Sequence, residues 1–88
     1  MNRGDAYIVL SRELDTRREL GYHALVTEVG QPARQRLVRI GDEDVVVETS
    51  VQWADAKKHA IRISASAAGP NWWKLERLDE SILVYPAD

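Results

Sequence analysis

The 88-residue chain has no cysteine and no phenylalanine, only two histidines, three prolines and five glycines. Without cysteine there is neither a disulfide framework nor a thiolate metal site. No run approaches the roughly 18 apolar residues of a membrane span, so no transmembrane helix and no membrane partner are expected. Met1 to Asp5 form no apolar signal core, and the expectation is a cytoplasmic protein. The glycines are isolated, so nothing resembles a phosphate-cradling loop. Neither sign of charge dominates, with 12 basic against 14 acidic residues and a net charge of −2. A nucleic-acid-binding domain is usually strongly basic, and a full DNA mimic would be far more acidic.

What is present is ordinary for a globular chain: 44% hydrophobic and 30% charged residues. That balance argues against disorder. The length fits a single small domain spanning residues 1–88, with modest stability because small domains bury a small share of their surface. Charge is split along the chain. Residues 1–40 hold seven arginines against five acids, and residues 41–88 five bases against nine acids.

Tyr7-Ile8-Val9-Leu10 is a short, partly β-branched run that reads as a first strand, Ala6 to Arg12. Ser11 to Gly21 is either a short helix capped by Ser11 and closed by Gly21 or the charged tip of a hairpin. Its two leucines, Leu14 and Leu20, are too few for a helical stripe, which favours the hairpin tip. Tyr22 to Val29 reads as a second strand, Gly30 to Ala33 as a turn, and Arg34 to Ile40 as a strand alternating basic and apolar residues. After a turn at Gly41-Asp42-Glu43, Asp44 to Thr49 reads as a fourth strand. A helix is expected over Val51 to Ala68. Thr49 and Ser50 are N-cap types, Gln52 completes a capping box with Thr49, and Trp53, Ala56, Ala60, Ile63 and Ala67 follow helical spacing. Gly69 and Pro70 would close it. Trp72 to Leu78 and Ser81 to Tyr85 read as a closing hairpin around Asp79-Glu80. The expected fold is α+β, an antiparallel sheet of five to six strands packed against one helix in the order β-β-β-β-α-β-β. The helix covers one sheet face and leaves the other open.

Residue types that carry chemistry are sparse. Asp55 and His59, four apart on the expected helix, share a face, but two ligands make no metal site. His23 reads as a half-buried strand residue. Ser11, Ser50, Ser64, Ser66 and Ser81 have no nucleophile motif around them. No enzyme activity, cofactor or metal is therefore expected. Arg34 and Arg36 point one way on their strand and Arg39 the other; they could contact phosphates or simply keep a strand wet. In the closing hairpin Trp73 faces the core, while Trp72 faces outward with Lys74, Leu83 and Tyr85. An outward aromatic pair beside a cation has the composition of a binding hot spot. The acidic turns Asp42-Glu43-Asp44 and Asp79-Glu80 suit a basic partner surface.

The cysteine-free outline of antiparallel strands, one Ala-rich helix and a closing hairpin, notably Val45 to Tyr85 with Ala54-Asp55-Ala56-Lys57-Lys58-His59-Ala60 at its centre, resembles the small phage proteins that inhibit CRISPR–Cas complexes. The resemblance implies a stoichiometric inhibitor that occupies a nucleic-acid-binding surface, although this nearly balanced charge departs from the acidic mimics of the group. The same outline fits antitoxins, immunity proteins and small RNA-binding domains. The leading expectation is a non-enzymatic module that binds a protein or ribonucleoprotein through Trp72, Lys74, Leu83, Tyr85, the strand arginines Arg34, Arg36 and Arg39, and the acids Asp42, Glu43 and Asp44. The alternative is a small RNA- or DNA-binding domain using those arginines. An open face or edge strand also allows homodimerisation.

Overall fold

Four antiparallel strands follow one another in spatial order: β1 (Arg34–Ile40), β2 (Glu43–Trp53), β3 (Ile61–Ala68) and β4 (Arg77–Val84). They are preceded by a 16-residue helix, α1 (Arg3–Arg18), and a five-residue helix, α2 (Tyr22–Val26). The computed structural model describes residues 2–69 and 77–86. The α+β class, an antiparallel sheet with one main helix, is as the sequence suggested. The number of strands and their order are not: four strands occur among the described residues, and the main helix comes first.

α1 stands where a strand was expected. Its buried residues Ala6, Leu10 and Leu14 recur every four positions. Asn2 caps it, its side chain accepting a hydrogen bond from the Asp5 amide at 3.0 Å. Asp5 in the first turn and Arg17 and Arg18 in the last suit the helix dipole. The β-branched run Tyr7 to Leu10 mimics a strand, but Tyr7 and Ile8 are half exposed and only Leu10 of the four is fully buried. Gly21, at φ 85°, breaks the chain between the helices. The expected strand Tyr22 to Val29 is instead α2 and a turn, and His23 is exposed rather than half-buried.

The β1–β2 hairpin follows the alternation in the sequence. Ile40 pairs with Glu43 across the two-residue loop Gly41-Asp42. Gly41 has φ 62° while Asp42 keeps a negative φ, the pattern of a hairpin turn with glycine in its first central position. β2 continues beyond Thr49 because its inward positions Val45, Val47, Thr49 and Val51 are all buried, with Trp53 half-buried against Tyr22 at 6.5 Å between ring centroids.

The largest correction falls on Val51 to Ala68. There is no helix there. β2 ends at Trp53, a tight loop follows, and β3 starts at Ile61. The loop is held by the Ala54 amide donating to the Ala60 carbonyl at 2.8 Å and the His59 amide donating to Asp55 Oδ1 at 2.8 Å. In β3, Ile61, Ile63, Ala65 and Ala67 are buried on one side. Alanines satisfy either periodicity; the Ile–Arg–Ile–Ser alternation is a strand's. The closing hairpin also fails. β4 runs straight through Asp79 and Glu80, which pair with Ser66 and Ala65. Part of the expected strand Trp72 to Leu78 lies outside the described residues.

The core sits between α1 and the inward sheet face, gathering Ala6, Leu10, Leu14 and Leu25 with Val45, Val47, Val51, Ile61, Ile63, Ala65 and Ala67. α1 lies over β3 and β4. Leu10→Ala, removing a fully buried side chain, is expected to lower unfolding free energy by about 2–5 kcal/mol in urea titrations, whereas Ile8→Ala on the same helix changes it by less than about 1 kcal/mol. Gly41→Ala forces an L-residue into positive φ and is expected to cost about 1–2 kcal/mol in the same assay.

Candidate interaction surface

The register divides the sheet's side chains into two sets. Arg34, Arg36, Val38 and Ile40 of β1 share the helix side with Val45, Val47, Thr49 and Val51 of β2 and with Leu78, Glu80, Ile82 and Val84 of β4. The opposite face carries Leu37 and Arg39 of β1, Asp44, Val46, Glu48, Ser50 and Gln52 of β2, Arg62, Ser64 and Ser66 of β3, and Arg77, Asp79, Ser81 and Leu83 of β4. No helix of the described residues covers this second face.

The three strand arginines therefore do not converge. Arg34 reaches Glu28 Oε1 at 2.7 Å, and the same oxygen accepts from Arg17 at 3.1 Å. Arg36 donates to Glu13 Oε2 at 2.6 Å. Both lie on the helix side, along the flank of the sheet that α1 leaves bare. Arg39 is on the other face, 3.6 Å from Asp44. Arg18, at the end of α1, pairs with Asp15 at 2.5 Å. The charge on Arg34, Arg36 and Arg39 is thus spread over two faces and held by carboxylates.

The acidic turn divides in the same way. Asp42 is exposed at the hairpin tip, Glu43 is half-buried on the helix side and engaged within the chain, and Asp44 faces outward. Asp55 and His59 do meet, Nδ1 to Oδ2 at 3.5 Å, but through the β2–β3 loop rather than along a helix. Leu83 and Tyr85 are both exposed, at 44% and 63%, and Leu83 belongs to the open face. Trp72, Trp73 and Lys74 lie outside the described residues. Among the described residues, no three His, Cys, Asp or Glu side chains gather as metal ligands would.

The open face holds a shallow concavity. A trough of about 480 Å³ is lined by Ser50, Ser64, Ser66 and Ser81 with Glu48, Arg62, Arg77 and Asp79. The register explains it. Ser50, Ser64 and Ser81 stand in one row across three strands, and Glu48, Ser66 and Asp79 in the next. Short hydroxyl side chains leave the floor low, while charged side chains raise the walls. Arg77 is steadied by Asp79, 2.9 Å away, and Glu48 accepts from Gln35 at 3.0 Å. Leu37, 69% exposed on β1, and Leu83 on β4 stand at opposite corners: Leu37 is level with Arg77, so Leu83 lies about 14 Å across the strands and roughly 20 Å along them. The alternation of serines in β3 was the signal in the sequence, hidden by assigning that segment to a helix.

Glu28 ties α1 to β1 from a position only 16% exposed. Glu28→Ala leaves the half-buried Arg17 without its partner and is expected to cost about 1–3 kcal/mol by thermal or urea unfolding. Asp44→Ala, which breaks an exposed pair, is expected to cost under about 1 kcal/mol.

No family model, no curated protein and no solved structure matches this chain.

Proposed function

We propose that the protein is a non-enzymatic interaction module that docks another protein or ribonucleoprotein on its open sheet face. One observation carries this reading: the single main helix covers one side of a four-stranded sheet, and the other side keeps two large apolar side chains, Leu37 and Leu83, exposed around a polar trough. Covering the 69% of Leu37 and the 44% of Leu83 that remain exposed supplies the apolar part of an interface, at roughly 1–2 kcal/mol for Leu37 and about 1 kcal/mol for Leu83. The hydroxyls and the guanidinium of Arg62 supply directional contacts that fix register. The trough is polar where small-molecule pockets are mostly apolar, which favours a macromolecular surface over a small ligand. Occlusion of a partner's surface is the mechanism. A stoichiometric inhibitor of a nucleic-acid-processing complex, of the anti-CRISPR kind, is its narrower form.

The distribution of the arginines favours protein over nucleic acid as the primary partner. A phosphate backbone needs several unbalanced cations on one surface, whereas Arg34 and Arg36 are committed to Glu28 and Glu13 on the helix side, and on the open face Arg39, Arg62 and Arg77 are interleaved with Asp44, Glu48 and Asp79.

The test is affinity capture followed by mass spectrometry with wild type and the double variant Leu37→Asp/Leu83→Asp, after matching thermal unfolding shows both are folded. A partner recovered by wild type and lost from the variant supports the reading. An identical recovered set from both overturns it.

A further inference from the structure

We propose that β4 is a docking edge for an extended peptide strand of a partner, and that the peptide carries a lysine or arginine opposite Glu80. This rests on the reading of the protein as an interaction module and gives the chemistry of one partner segment; it uses the edge of the sheet rather than its open face.

β4 is the last strand of the sheet, and among the described residues no strand pairs with its outer edge. Sheet edges are usually guarded by charge or proline. β1, the other edge, carries Arg34, Arg36 and Arg39 and follows Pro32. On β4 the charges stop at Glu80. Ser81-Ile82-Leu83-Val84 is an uncharged stretch, roughly 13 Å long, with Pro86 just beyond it. Such an edge accepts a further strand through its free backbone N–H and C=O groups.

The specificity comes from the side that α1 overhangs. A small cavity of about 90 Å³ lies between the helix and the edge, lined by Tyr7, Ser11, Leu14 and Asp15 of α1 and Glu80, Ser81 and Ile82 of β4. Asp15 is balanced by Arg18. Glu80 has no ion pair among the described residues and is only half-exposed, so among those residues it is the one carboxylate lining the cavity without a cation beside it. Tyr7, 51% exposed, supplies an aromatic wall. A cationic side chain from an added strand fits that charge, and an apolar one fits beside Ile82 and Tyr7.

The same carboxylate disfavours a second copy of the chain. A two-fold pairing of β4 with its counterpart sets Glu80 opposite a side chain on the same face, and those are Leu78, Glu80, Ile82 and Val84. None is a cation. For an incoming strand antiparallel to β4, as every strand in this sheet is to its neighbour, the residue opposite Ile82 precedes the one opposite Glu80 by two. The recognised pattern is therefore apolar–x–Lys/Arg, read from N to C.

The test uses the folded 88-residue protein and a fluorescein-labelled peptide of sequence TVTVTKT, blocked at both ends, with two controls. One control replaces lysine by glutamate, and the other reverses the order to TKTVTVT. Anisotropy titrations are expected to give at least tenfold tighter binding for the first peptide than for the glutamate control, and weaker binding for the reversed one. Glu80→Gln, which leaves the thermal midpoint unchanged, is expected to remove most of the lysine preference. Amide shifts in a nitrogen–proton correlation spectrum should concentrate on Ser81 to Val84. Equal binding of all three peptides, absence of binding, shifts centred on Ser50 and Ser64 of the open face, or concentration-dependent self-association that displaces the peptide would each overturn the proposal. Partner capture that depends on Leu37 and Leu83 is a separate readout, so failure of the peptide leaves the open-face reading to stand or fall by its own test.

Discussion

One constraint organises the described residues: one long helix must cover a sheet wider than itself. A helix with its side chains is about 10–12 Å across, while four strands at about 4.8 Å spacing present a wider surface. α1 lies over β3 and β4 and drives Leu10 and Leu14 into the cluster formed by Ile61, Ile63, Ala65 and Ala67. The alanines of β3 matter because small side chains there let the helix approach the sheet closely. The far flank, beneath β1, has no long helix above it. Arg34 and Arg36 occupy those inward-facing positions, with Glu13 and Glu28 holding their guanidinium groups. Their aliphatic stems can cover apolar surface while the charges stay wet and paired.

That arrangement gives the arginines a structural use and shapes the functional reading. Cations that looked available on an exposed strand are tied into the seam between helix and sheet. The surfaces we propose for recognition are the other face, where serines make a shallow floor and two leucines stand clear, and the edge of β4 beside α1. Both follow from the limited span of one helix. It cannot reach around the sheet to its second face, and at β4 it overhangs a strand that has no further strand beside it among the described residues.

The strand β1 and the hairpin at Gly41 were legible because alternation and a glycine with positive φ are local signals that nothing in the packing opposes. The open second face was legible for a simpler reason: one helix covers only one side of a sheet. α1 is hard to see in the sequence because Tyr7-Ile8-Val9-Leu10 has strand composition, and Ser11, a residue type common at helix starts, stands between Leu10 and Leu14. Reading Asn2 as a cap and Ala6, Leu10 and Leu14 as one stripe would have revealed it. β3 was hidden because Ala60, Ile63 and Ala67 fit a helical period as well as Ile61, Ile63, Ala65 and Ala67 fit a strand's. The four-strand register, and with it the trough, depends on β3 being a strand, which local periodicity does not decide.

By itself the sequence determined the α+β class, the absence of cysteine chemistry, the strand from Arg34 to Ile40 and the opposed directions of Arg36 and Arg39, since these depend on composition and on a two-residue period along the chain. Only the tertiary structure decided whether Ile61 to Ala68 is helix or strand, which carboxylates hold the arginines, and which serines share a row. Those depend on what the rest of the chain offers as a partner. An ambiguous segment takes whichever periodicity buries its apolar side, and here a helix formed by residues 3–18 gave Ile61, Ile63, Ala65 and Ala67 a surface against which a strand, not a helix, could pack.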